Sequence, residues 1–383
     1  MNPSDISSEL LELSASLEER IKLDIEESAG WISFADYMQR ILYMPVLGYY
    51  SGGLAKLGKT GDFVTAPEIS DLYGRTLAQA IIPLLEQTGA NILELGSGTG
   101  KLAFDVLTAL TDAGVRVGKY RVLELSSELR QRQQKTLAGF DNVEWLTMLP
   151  ERFDGVVLAN EVLDAMPVHL VRKKIDGWHE TGVTVHENRL VFDERPCSGM
   201  LLDTIHRVIP DHEKLPSGYL TEVHVHAYGF MKSLADMLTR SDCAAVVITD
   251  YGFPAREYYH PDRSTGTLMC HFRHRAHDDP FFMPGLQDVT AHVDFTALAQ
   301  TAARQGLDVI CYASQASFLL ASGLLELFSN ESAESDSRQA GQLRAIQQLL
   351  SPAEMGELFK VLVLGHKIEP PVFMLDIDKS GRL

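Results

Sequence analysis

The stretch "NILELGSGTGKLAFDVLTALTDAG", Asn91 to Gly114, decides the fold. Asn91–Gly96 is a short apolar run ending in glycine, which reads as a buried strand. Gly96, Gly98 and Gly100 then make a tight turn. Leu102, Val106 and Leu110 recur at helical spacing, and Gly114 stops the helix. The strand–helix alternation continues downstream. "YRVLEL" (Tyr120–Leu125) is a second strand, "SSELRQRQQKTLAG" a second helix, and "NVEWL" (Asn142–Leu146) a third strand. "GVVLANEVL", from Gly155, and "AAVVITDYG" (Ala244–Gly252) supply the fourth and fifth. Strands alternating with amphipathic helices predict an α/β fold with a doubly wound, mostly parallel, Rossmann-like sheet.

Outside this core the pattern changes. "HLVRKKIDGWHETGVTVHENRLVF" predicts β-hairpins turning at Asp176-Gly177 and near Glu187-Asn188. "GLDVICYAS" and "ELFKVLVLG" are late strands, and Gln315–Leu350 between them is helical with a polar interruption. The expected organisation is an N-terminal helical arm with a covering loop over 1–90. The core spans 91–170, 241–314 and 353–383, and substrate-side insertions occupy 171–240 and 315–352. Apolar residues make up 45% of the chain, as in soluble globular proteins. A balance of 34 Lys+Arg against 52 Asp+Glu, net −18, opposes nucleic-acid binding, which needs a basic surface. Cys197, Cys243, Cys270 and Cys311 are too dispersed for a zinc site or a disulfide framework. With no 18-residue apolar run and an acidic N-terminus lacking an Arg-rich leader pattern, a cytoplasmic location without membrane insertion is expected.

The glycine turn excludes two common ligands. A dinucleotide fingerprint starting at Gly96 would need glycine where Lys101 stands, and no G-K-[ST] makes a Walker loop. Two acids refine the choice. Glu94 precedes the turn, giving E-x-G-x-G-x-G, which suits a ligand with an ammonium group beside its nucleoside. Glu124 ends the second strand, where an acid can hold both ribose hydroxyls. The arrangement resembles the S-adenosylmethionine site of class I methyltransferases, with Gly96, Ser97, Gly98 and Gly100 at the ligand.

A wider resemblance follows. "YMPVLGYYS", "GDFVTAPEIS" (Gly61–Ser70), "ILELGSGTGKL", "LELSSELRQRQ", "ANEVLDAMPVHLV" and "ITDYG" occur in the order found in the MidA-like methyltransferases. "PGLQDVTAHVDF", "QASFLLASGL" and "SPAEMGELFKVL" match that family's C-terminal part. Ser97 stands where the family often has proline. The family includes the mitochondrial complex I assembly methyltransferase. The resemblance therefore implies a class I S-adenosylmethionine-dependent protein arginine N-methyltransferase, with a respiratory complex I subunit as its protein substrate.

Asn160, Glu161 and Asp164 follow the fourth strand, at the end where α/β sheets bind ligands. A guanidinium is a poor nucleophile, and carboxylates forked onto its N–H groups orient it and can take its proton. Glu161 and Asp164 are the candidate catalytic acids and Asn160 a cofactor contact, with Asp164 alternatively a helix cap. Gly61, Asp62 and Thr65 are expected to close over the cofactor, and Tyr49 and Tyr50 to line a substrate channel. His271, His274 and His277 in "CHFRHRAHDDP" read as a polar rim rather than a metal site. A small-molecule acceptor, or an assembly factor that binds cofactor without catalysis, are the alternatives.

Overall fold

The computed structural model describes residues 7–51, 65–330 and 336–383, with side chains in the last segment from 340 onward. The central sheet takes β1 (Ile92–Leu95), β2 (Tyr120–Leu123), β3 (Val143–Leu146), β4 (Gly155–Asn160), β5 (Ala244–Phe253), β6 (Asp308–Ser314) and β7 (Phe359–His366). Its order is β3-β2-β1-β4-β5-β7-β6. The first five strands run parallel, and β7 inserts antiparallel to both β5 and β6. A two-residue strand, Val293–Asp294, pairs with the far end of β5. Chain order reverses between β1 and β4, so their carboxyl ends open a crevice at the switch point.

Alternation along the strands explains the two helical layers. Leu93, Leu95, Val157, Ala159, Val246 and Ile248 face one apolar cluster, shared with helices Val225–Thr239 and Phe295–Arg304. Ile92, Val156, Leu158, Ala245 and Val247 face the other, shared with helices Asp71–Leu85 and Lys101–Asp112. A strand with period two and apolar residues on both faces must be covered twice. Each such Leu, Ile or Val contributes roughly 1.5–3 kcal/mol on burial. Ser126 caps helix Ser127–Thr136 by accepting from Leu129 N, and Ser70 caps Asp71–Leu85 through Leu72 N.

The predicted hairpins form an antiparallel sheet of His169–Lys174, Gly177–His186, Arg189–Pro196 and Leu220–Val223. Ile32–Ser33 of the N-terminal arm adds to it, pairing with Val183 and Gly182. Helices Ser8–Glu27 and Phe34–Tyr43 pack there through Leu17, Ile21, Phe34, Tyr37 and Ile41. The helix Asp71–Leu85, expected as part of the arm, packs instead on the central sheet. Among the described residues no helix is long and apolar enough to cross a membrane.

Candidate functional site

Gly96, Gly98 and Gly100 have φ of 65°, 52° and 85°. These left-handed conformations explain why the turn is glycine-rich. A Cβ at Gly100 would meet the Gln133 backbone at 3.2 Å. Gly96 N donates to Leu123 O at 3.1 Å and Gly100 N to Ser97 O at 2.8 Å, so the turn lies against the end of β2. Glu94 is 2% exposed, and its Oε2 accepts from Ser97 Oγ at 2.6 Å and Tyr120 OH at 2.8 Å. Burial outweighs both donors and pushes its carboxyl up to about 7. Glu124 accepts from Ser126 N at 2.8 Å through Oε1 and from Gln133 Nε2 at 2.9 Å through Oε2. Burial raises it above the usual carboxylate range.

Gln133 was not legible in the sequence. It is fully buried, and its Nε2 also donates to Gly98 O at 3.0 Å while its Oε1 accepts from Trp145 Nε1 at 3.0 Å. It ties the turn to Glu124. Among the polar residues of "RQRQQK" nothing local sets it apart.

At the end of β4, Glu161 has φ 54°, an uncommon conformation for a non-glycine residue that recurs at functional sites. Its N donates to Thr249 O at 2.8 Å. Asp250 Oδ2 accepts from the backbone N–H of Val162, Leu163 and Asp164, which fixes the turn that follows. Glu161 Oε1 accepts from Ala66 N at 3.2 Å and Asn160 Nδ2 at 3.1 Å, while Asn160 Oδ1 accepts from Tyr73 OH at 2.6 Å. Burial pushes Glu161 up to about 8, with Asp164 and Asp288 adding to the rise.

Asp164 departs from its expected position. It is 7% exposed, receives the Tyr251 hydroxyl, and leaves Oδ1 buried without a hydrogen bond. No helix follows it to be capped, and it does not line the cavity described next. Burial raises its carboxyl to about 6.

A cavity of about 470 Å³ joins these parts. Thr65, Glu94, Gly96, Ser97, Gly98, Glu124, Asn160, Glu161 and Tyr50 line it. Gly100 stands behind the turn as the first residue capping helix Lys101–Asp112. Tyr49, 1% exposed, lies in the core of the arm with Ile41 and Leu42 and does not reach the cavity. Adjacent side chains diverge, so only Tyr50 of the pair faces it. Gly61 and Asp62 lie outside the described residues. Tyr43, Met166 and Phe230 line the cavity too, and sequence spacing did not single them out; His226 also lines it. Lys101 also reaches it, paired with Asp105 Oδ2 at 2.5 Å. His271 and His277 sit on the paired strands of a small hairpin whose turn holds His274. Among the described residues no group of three or more His, Cys, Asp or Glu is placed to hold a metal.

Comparison with known proteins identifies the fold and the family. A crystal structure of a candidate methyl transferase from Burkholderia thailandensis, bound to S-adenosyl-homocysteine, superposes with TM-score 0.93 and 42% identity over 99% of both chains. Protein arginine methyltransferase NDUFAF7, mitochondrial, from Danio rerio is 31% identical, covering 87% of this chain and 83% of that protein. Its Homo sapiens counterpart is 29% identical, covering 88% and 81%. These relatives correct the cytoplasmic expectation, since they are named as mitochondrial proteins. A family model described as "Putative S-adenosyl-L-methionine-dependent methyltransferase" matches residues 76–313, and this chain belongs to that family of S-adenosylmethionine-dependent methyltransferases.

Proposed function

We propose that this methyltransferase acts on the guanidinium of an arginine in a protein, with a respiratory complex I subunit as the target. The observation that carries the proposal is Glu161. It is half-buried in the cavity wall, held by Ala66 N and Asn160 Nδ2 on Oε1, and has no lysine or arginine paired with it among the described residues. A carboxylate withdrawn from water without an opposite charge is costly, and an entering guanidinium relieves that cost. The arginine methyltransferase relatives support the same acceptor.

The donor set fits the cofactor. Three left-handed glycines let a ligand approach the backbone, and Glu94 keeps Oε1 free of hydrogen bonds among the described residues. Glu94 and Ser97 suit the amino-acid end, and Glu124 suits the ribose hydroxyls. Bound S-adenosylmethionine supplies a methyl group activated by positive sulfur and leaves as a neutral thioether. Glu161 accepts the guanidinium N–H bonds, concentrates the lone pair on the attacking nitrogen, and takes its proton as the N–C bond forms. Asn160, locked by Tyr73, holds Glu161 in place. Asp164 acts from behind: burial first, and the Asp164 charge second, favour the protonated form of Glu161 until a cation arrives. Thr65 is proposed to contact the cofactor, with Tyr50 beside the acceptor.

The test is incubation with labelled cofactor and lysate from a strain lacking the gene, followed by mass-spectrometric mapping of the methylated residue. Label on arginine of a complex I subunit is expected. Label on lysine alone, or on a small metabolite, overturns the acceptor.

A further inference from the structure

Two aromatic rings of the cavity have hydroxyls that are already committed. Tyr43 and Tyr50 stack with centroids 5.5 Å apart and planes inclined by 24°. Tyr43 OH donates to Ala165 O at 2.9 Å, in the turn that carries Glu161 and Asp164. Tyr50 OH donates to Asp288 Oδ1 at 3.0 Å, and Asp288 is 2% exposed in strand Asp288–Thr290. Both rings line the cavity, and both are half-buried. With the hydroxyl protons spent on fixed acceptors, the rings contribute π surface rather than polar groups. The Asp288 carboxylate also makes the Tyr50 ring more electron-rich. Neither Glu161 nor Asp164 pairs with a lysine or arginine among the described residues, and Asp164 Oδ1 is buried without a hydrogen bond. Glu161 and two aromatic rings line one cavity, and its lysine, Lys101, is paired with Asp105, so the site suits an incoming cation that is flat.

We propose that Tyr43 and Tyr50 form the π wall on which the acceptor guanidinium lies, and that Asp288 is a positioning residue that sets the Tyr50 ring. The inference deepens the arginine proposal and rests on it. A guanidinium can stack its face on a ring while its edge N–H groups fork onto Glu161; an ammonium offers no such face. The wall therefore selects arginine over lysine and leaves cofactor binding alone.

The test measures KM and kcat for an arginine peptide, and the Kd of S-adenosylmethionine, in Tyr43→Phe, Tyr43→Leu, Tyr50→Phe and Asp288→Asn. Tyr43→Leu removes a ring and is expected to raise KM about tenfold with kcat changed less than about threefold. Tyr43→Phe keeps the ring and restores KM to within about threefold of wild type. Tyr50→Phe releases the Tyr50 ring and raises KM, whereas Asp288→Asn keeps an Oδ1 acceptor for Tyr50 OH, removes only the charge and raises KM less. The cofactor Kd stays unchanged in all four. An unchanged KM in Tyr43→Leu overturns the wall, and so does a weakened cofactor Kd that accounts for the rise in KM. A wild type that binds cofactor yet methylates no arginine overturns the acceptor proposal first and the wall with it.

Discussion

Replacing Glu161 by glutamine keeps the side-chain length and the Oε1 acceptor for Ala66 N and Asn160 Nδ2, but removes the charge. Removing one partner of a buried ion pair costs about 3–5 kcal/mol. In the wild type the free carboxyl titrates at about 8, so at pH 7 only about a tenth of it is ionised and binding a guanidinium first costs about 1.4 kcal/mol. The net loss in Glu161→Gln is then about 2–3.5 kcal/mol at pH 7, or about 20- to 400-fold in kcat/KM. At pH 9 the ionisation cost vanishes and the loss grows to about 200- to 5,000-fold. The sign follows from the direction of the shift: wild-type kcat/KM rises about tenfold from pH 7 to 9, while the variant stays flat. Linkage gives a second readout. A carboxyl raised in the folded state holds its proton there, so its contribution to stability is present at low pH and is lost as pH rises towards and past 8. Glu161→Gln is expected to escape that loss and to bind cofactor normally. The assay is initial-rate methyl transfer to an arginine peptide from pH 6 to 9.5, with calorimetric cofactor binding at each end. A flat wild-type profile, or a variant within about threefold of wild type at pH 9, refutes the clamp.

Gly98→Val places a β-branched residue at φ 52°, at a cost of about 1–2 kcal/mol beyond blocking the approach to the turn. Calorimetry should show S-adenosylmethionine binding weakened at least about hundredfold, and near-normal affinity would remove the turn from the cofactor site. Glu124→Ala loses hydrogen bonds to a charged acceptor, worth about 1.5–3 kcal/mol, and should weaken the cofactor about 10- to 100-fold. S-adenosyl-homocysteine should lose affinity by the same factor, because the ribose is common to both. Gln133→Leu strands Gly98 O and Trp145 Nε1, each costing about 1–3 kcal/mol if left unsatisfied. Its melting temperature should fall and cofactor should bind more weakly; if neither changes, the turn does not depend on Gln133.

The sequence by itself determined the parts governed by local chemistry. Period-two apolar runs such as Ile92–Leu95 could only be strands covered on both faces, and three closely spaced glycines after one could only be a turn in left-handed conformations. Glu94, Glu124 and Glu161 were legible as cavity-lining acids because they stand towards the carboxyl ends of strands, where such sheets bind ligands. Tertiary structure alone decided what depended on contacts distant in sequence. The antiparallel insertion of β7 between β5 and β6 leaves no local trace, since strand direction is set by the partner. Tyr49 and Tyr50 look alike in sequence, yet packing of the arm sends one into the core and the other to the cavity. Asp164 was expected beside Glu161, but the turn held by Asp250 carries it behind the cavity wall towards Tyr251. Gln133, Tyr43 and Asp288 gain meaning from contacts that include partners 35, 122 and 238 residues away in the chain, distances that local sequence patterns do not span.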